Sequence, residues 1–287
     1  MSLLRNAITA IRHPSVGVDY AIWRIGNAID RPPLVNGAFC TRLRASNFAG
    51  LRATRGFVPN SAEIKMIASL SSNYPVFIDI GANVGVWTTA LAAAHRTAHV
   101  YCIEPTPDIV DLLQSNIALN RLQNVTTEQL AISDSDGFVS FQVVTEYSIY
   151  NRLATRKNSA QDLHRDRFKN ARTIDVRSVR LDDFCKDRCI ERIGFLKVDV
   201  EGAEVCVIKG AENLLRNRAI ELIWIEVEPD NLCEMGDSID DLADAMKDVG
   251  YTFHFLQPDG SASPAVDIRR NRAPNMIAKP ERHRRTS

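Results

Sequence analysis

The chain has 287 residues, 45% of them hydrophobic, which suits one large α/β core with an attached segment better than two independent domains. Thirty-five lysines and arginines balance thirty-five aspartates and glutamates, so no global field draws in nucleic acid or repels anionic surfaces. Of the six cysteines only Cys185 and Cys189 lie close together; one pair does not make a tetrahedral metal site, and the set reads as ordinary reduced residues of a cytoplasmic protein.

In residues 1–60, Leu3, Leu4, Ala7, Ile8 and Ile11 fall at helical spacing beside Arg5 and Arg12, and Ile22, Ile25 and Ile29 repeat the pattern around Trp23. This predicts an N-terminal helical extension. Such amphipathic helices either pack on the main domain or dock peripherally, on a partner or on the inner face of a membrane. No apolar run approaches the roughly 20 residues of a bilayer span, and the uninterrupted apolar region of a signal peptide is missing.

Residues 61–280 read as the main domain. Short β-branched runs at 76–80, 98–104, 125–132, 195–200 and 220–228 alternate with helical stretches, the mark of a mostly parallel sheet with helices on both faces. Between Asp134 and Asp183 the rhythm changes. Phe138, Ser140, Gln142 and Val144 alternate, a polar stretch follows through Arg165 and Arg172, and another strand is expected at 176–179. This insertion is the natural place for acceptor specificity, although such charges more often mark a solvated loop. Residues 281–287 carry Arg282, His283, Arg284 and Arg285 and read as a basic, disordered tail.

The run Val76-Phe77-Ile78-Asp79-Ile80 ends in the turn Gly81-Ala82-Asn83-Val84-Gly85. Gly81 and Gly85 permit backbone angles and close ligand approach that a β-carbon obstructs, and Asn83 tolerates left-handed geometry. Open α/β sheets bind ligands at this end of their strands. The next strand finishes on Glu104, nineteen residues after Gly85, where a carboxylate can accept from both hydroxyls of a ribose. Together these point to a nucleoside cofactor. The loop lacks the third glycine that brings a helix against a dinucleotide's pyrophosphate, which disfavours NAD and leaves S-adenosylmethionine (SAM), a cofactor with no phosphate to cradle. Asp79 is then expected near the cofactor's ammonium group and Asp134 near its adenine amino group, although Asp134-Ser135-Asp136-Gly137 is equally a plain turn.

Lys197, Asp199 and Glu201 occupy alternate positions at the end of the fourth strand, predicting one shared face; Glu226 and Glu228 do the same at the end of the fifth. The expected reaction residues are Asp199 or Glu201 as the base, with Lys197 and Glu226 beside them. The structural alternative is that these acids cap helices or pair with Lys197.

Several motifs resemble, in order, the FkbM-type SAM-dependent methyltransferases. These are Asp79-Ile80-Gly81-Ala82-Asn83-Val84-Gly85 with Thr88, Glu104-Pro105, a helix bearing Asn116 and Asn120, Leu181-Asp182-Asp183-Phe184, Lys197 through Glu204, Lys209-Gly210-Ala211 and Ile225-Glu226-Val227. The resemblance covers roughly residues 63–278. It implies a class I SAM methyltransferase fold, Rossmann-like, with a seven-stranded sheet whose last strand is antiparallel. It further implies O-methylation of a hydroxyl, frequently on a sugar or polyketide. The sequence departs from the family at Tyr147-Ser148-Ile149-Tyr150-Asn151-Arg152, where the family often carries glycine and serine, so the acceptor is less well specified.

Three rivals remain. Methylation of a nucleic-acid base nitrogen is disfavoured, because no Asn-Pro-Pro-Tyr type of strand exit is present and Glu228-Pro229-Asp230-Asn231 does not replace it. A metal-assisted sugar O-methyltransferase would use Asp199, Glu201 and Glu226 as oxygen ligands to magnesium; the primary expectation is no metal. A non-catalytic scaffold that tethers a biosynthetic complex is opposed by the retained Glu104 and the acidic strand exit.

Overall fold

The computed structural model describes residues 34–36, 41–43, 59–70, 74–144, 152–153 and 171–281. The two amphipathic patches of the N-terminal extension, most of the polar part of the insertion and residues 282–287 of the basic tail lie outside them. Where the extension is described it is not helical: β1 (Leu34–Asn36) and β2 (Thr41–Leu43) pair as an antiparallel hairpin. No helix among the described residues is long and apolar enough to cross a membrane.

The core is a seven-stranded sheet. In chain order its strands are β3 (Val76–Ile80), β4 (His99–Ile103), β5 (Val125–Glu128), β10 (Phe195–Val198), β11 (Ile223–Glu226), β12 (Tyr251–His254) and β13 (Asn275–Pro280), and their spatial order is 12-13-11-10-3-4-5. Only β13 runs antiparallel to both neighbours. This is the mixed, mostly parallel α/β sheet expected, with the class I fold's antiparallel last strand.

Period-two geometry sorts the side chains. Phe77, Phe195 and Trp224 point to one face, covered by α1 (Ser61–Ala68) and α2 (Val86–Ala94) through Met66, Ile67, Ala90 and Leu91. Ile78, Ile80, Leu196, Val198, Ile223 and Ile225 point to the other. That face packs on α4 (Leu181–Asp187), α5 (Glu204–Gly210), α6 (Glu212–Arg216) and α8 (Ile239–Asp248). α3 (Pro107–Leu119) lies between β4 and β5, and α7 (Pro229–Met235) follows β11. Because β3, β10 and β11 are aligned in register, Asp79 lies opposite Lys197 and Lys197 opposite Trp224, all on the α1/α2 face.

Three strands depart from expectation. The run at 125–132 divides: β5 stays in the main sheet, while β6 (Ala131–Ile132) joins a second sheet of order 6-9-7-8. The other members of that sheet are β7 (Gly137–Val144), β8 (Arg152–Leu153) and β9 (Ala171–Val179). The described part of the insertion is therefore a built layer rather than a solvated loop. Its apolar face, with Phe141, Val143 and Val176, packs on Ala203, Val200 and Met235, while Phe138, one position out of phase, is 77% exposed. The fourth and fifth strands end earlier than expected, at Val198 and Glu226, so Glu201 and Glu228 are not strand residues.

Candidate active site

A cleft opens where β3, β4 and β10 end, on the carboxyl side of the sheet, where the parallel strands release their loops. It holds about 860 Å³ of empty space, its open mouth included, and its lining includes Gly81, Asn83, Glu104 and Pro105. Leu130, Ala131, Ile132 and Phe141 add apolar lining, and Lys197, Asp199 and Glu201 line it beside Gly81.

The turn after β3 has left-handed backbone at Gly81 (φ +75°), Asn83 (φ +48°) and Gly85 (φ +86°). Packing within the protein by itself requires these glycines. A β-carbon at Gly81 would lie 1.8 Å from the Asp199 carbonyl oxygen, and one at Gly85 would lie 2.4 Å from Leu113 Cδ1. Glu104 is buried, with Oε2 accepting from the Asn83 amide (3.1 Å) and Oε1 from the Thr106 amide (2.9 Å). Burial pushes its carboxyl above the usual range, although these donors pull the other way. A carboxylate fixed by backbone beside an apolar wall has the chemistry the ribose-anchoring role requires.

Asp79 does not line the cleft. It is fully buried, accepts from Thr88 Oγ1 (2.6 Å) and lies 3.4 Å from Lys197 Nζ without a directed hydrogen bond to it. Lys197 is buried too, with its ammonium 3.0 Å from Asp199 Oδ2 and 3.3 Å from the Gly81 carbonyl. Burial alone would lower its pKa, but Asp199 and Asp79 outweigh it and hold the ammonium above its ordinary value. Lys197 thus joins the glycine turn to the acids, and Asp79 acts behind it.

Beyond Asp199 the chain turns instead of extending. Glu201 takes φ +54° and Gly202 φ +105°, and a β-carbon at Gly202 would lie 2.2 Å from the Asn231 carbonyl of α7. Asn231 Nδ2 donates to Glu201 Oε2 (2.9 Å). Carboxylate oxygens of Asp199, Glu201 and Glu226 come within 4.8 Å of one another. The three acids expected together are together, although a left-handed turn rather than strand alternation delivers Glu201. Glu228 is instead the N-cap residue of α7. Burial first, then the charges of Asp199, Glu201 and Glu204, pushes the Glu226 carboxyl up to about 10.

Asp134 does not reach the cleft lining either; its Oδ1 accepts from Ser133 and Ser135 hydroxyls (3.2 Å each) in the turn before β7. Residues not anticipated as part of the site are Trp87, Phe141 and the 130–132 segment in its walls. Glu204 is 1% exposed, and its Oε1 accepts from the Val200 and Gly202 amides (3.2 Å each), so it ties the exit turn into shape. Burial raises its pKa to about 7. The alternation of β7 already marked Phe141 as facing opposite to Phe138.

Residues 79–253 match the Methyltransferase FkbM domain. The chain belongs to the FkbM methyltransferase family. Its cofactor is S-adenosylmethionine. It is 34% identical over 179 residues to methyltransferase sdnD of Sordaria araneosa, covering 54% of this chain and 68% of that one. It is 28% identical over 163 residues to 2-O-methyltransferase NoeI of Sinorhizobium fredii, covering 54% and 65%. It is also 26% identical over 174 residues to hexuronic acid methyltransferase AglP of Haloferax volcanii, covering 60% and 65%. The chain thus spans less than two thirds of the length of the latter two relatives.

Proposed function

We propose that this FkbM-family chain transfers the methyl group of SAM to a hydroxyl oxygen, on a sugar unit of a glycolipid or polysaccharide or on a polyketide-like natural product. The observation that carries the reading is the convergence of Asp199, Glu201 and Glu226, the first two of which line the same cleft as the glycine turn and Glu104. The names of NoeI and AglP, a 2-O-methyltransferase and a hexuronic acid methyltransferase, support an oxygen or glycan acceptor.

Bound SAM supplies a methyl group already activated on sulfonium, so the chain's task is alignment and proton removal. Glu104 anchors the ribose, with the apolar wall around the base. Asp199 or Glu201 accepts the hydroxyl proton as the new bond to carbon forms, and Lys197 keeps Asp199 in place. Glu226, carrying its own proton at neutral pH, is suited to donate a hydrogen bond to an acceptor oxygen.

The test is a mass-spectrometric screen of sugar, glycolipid and polyketide hydroxyls for gain of one methyl group, repeated with Asp199→Asn and Glu201→Gln. At least one variant is expected to lose roughly 10²- to 10⁴-fold in turnover with SAM affinity little changed. Parental rates in both would make these acids structural.

The same three carboxylates support a second reading, metal-assisted transfer, in which a divalent cation takes the place of the Glu226 proton. Loss of turnover in EDTA and recovery with magnesium would favour it; indifference to both excludes it.

A further inference from the structure

Upstream of the family-matched segment, α1 begins with a capping box: Asn60 Oδ1 accepts from the Glu63 amide (3.1 Å), and Glu63 Oε2 accepts from the Asn60 amide (2.8 Å). The box itself needs only one carboxylate oxygen of its third residue. Glu63 is instead 5% exposed, and its second oxygen, Oε1, accepts from the indole nitrogen of Trp224, 161 residues away in β11, at 3.1 Å. Burying an acid is costly unless its oxygens are used, and a buried indole N–H needs an acceptor. Each group answers the other.

Trp224 stands beside the reaction residues. It is the register partner of Lys197, whose Nζ lies 5.6 Å from the centre of its ring. Trp87, a wall of the cleft, packs on Trp224 with ring centres 4.9 Å apart and stacks on Phe195 at 6.0 Å. Lys197 passes along this aromatic wall to reach Asp199 and the Gly81 carbonyl. The rotation of the Trp224 ring therefore sets the surface on which the ammonium rests, and Glu63 sets that rotation.

We propose that Glu63 is a positioning residue for the reaction site, acting through the Trp224 indole to hold Lys197, and through it Asp199, in place. This rests on the methyl-transfer reading and extends it to a helix outside the matched domain. α1 has other fastenings: Met66 and Ile67 are buried, His95 Nε2 meets the Ile67 carbonyl at 2.6 Å, and Lys65 Nζ donates to the Pro258 carbonyl at 2.8 Å. Loss of the Glu63 carboxylate thus leaves the helix docked, and the effect at Lys197 can be read in a folded protein.

The experiment compares Glu63→Ala, Glu63→Gln and Trp224→Phe in the full chain. Its readouts are the ¹⁵N-lysine NMR signal of Lys197, titration with SAM, and turnover on the acceptor the parent methylates. Glu63→Ala and Trp224→Phe are both expected to shift the Lys197 resonance. They should lower kcat at least fivefold while SAM Kd stays within about twofold, with Glu63→Gln, which retains one acceptor oxygen, falling between. An unmoved Lys197 resonance in a folded Glu63→Ala variant overturns the proposal, as does a kcat equal to the parent's. Failure of the parent to methylate any hydroxyl counts against the functional reading alone, because the Lys197 signal reports the Glu63–Trp224 link without an acceptor.

Discussion

Replacing Lys197 by methionine keeps most of the stem's volume and removes the ammonium that faces fully buried Asp79 and half-buried Asp199. Asp79, fully buried, has Thr88 on one oxygen and, on the other, only the ion pair at 3.4 Å; Asp199 loses its 3.0 Å partner. Breaking a buried pair by removing one member typically costs about 3–5 kcal/mol, because the remaining charge is left uncompensated. We expect a deficit of that order at pH 8 in urea denaturation with unchanged slope. It should shrink at pH 5, where an unpaired buried carboxylate relieves itself by taking up a proton. The double variant Lys197→Met/Asp79→Asn should recover part of the loss, since a neutral amide can keep the Thr88 contact. A single-variant deficit below about 1 kcal/mol, or one equal at both pH values, would refute the claim that Lys197 is the electrostatic keystone of the site.

Glu226 carries a folded pKa of about 10 against an ordinary 4.5, so between these values the folded state binds more protons than the unfolded one and stability falls as pH rises. Glu226→Gln, which mimics the protonated acid, should flatten the fall in melting temperature between pH 7 and 9; an unchanged slope would show that the group is not a buried neutral acid. Gly85→Val forces a side chain into φ +86° and against Leu113, combining left-handed strain of about 1–2 kcal/mol with overpacking of about 1–3 kcal/mol. Chemical denaturation should register it as lost stability even without cofactor, and an apo protein of parental stability would return this glycine to a purely ligand-facing role.

The strand rhythm made the sheet legible, and the same period put Lys197 and Asp199 on one face of their strand; that Asp79 lies on the same face comes from the strand register. What sequence spacing cannot convey is where a strand stops. Glu201 and Glu228 continue the alternation on paper, yet Gly202 lets the chain turn under Asn231 and Pro229 starts a helix, so the two acids part company. Burial is also invisible in a motif: Asp79, expected near the cofactor, is fully buried beside Lys197 and Thr88. The insertion's charges hid an alternating apolar face whose Phe141 reaches the cleft. Asn60 and Glu63 show capping-box spacing in the sequence, but the Trp224 indole that gives Glu63 its second task is brought there only by the fold.

The central claim, that this cleft holds SAM with Glu104 on the ribose, is tested most directly by isothermal titration of SAM into the parent and into Glu104→Ala. Hydrogen bonds to a charged acceptor are worth about 1.5–3 kcal/mol, so the variant should bind roughly ten- to a hundredfold more weakly while remaining folded by circular dichroism. Equal affinity in the two proteins would contradict the account and move the cofactor away from the end of β4.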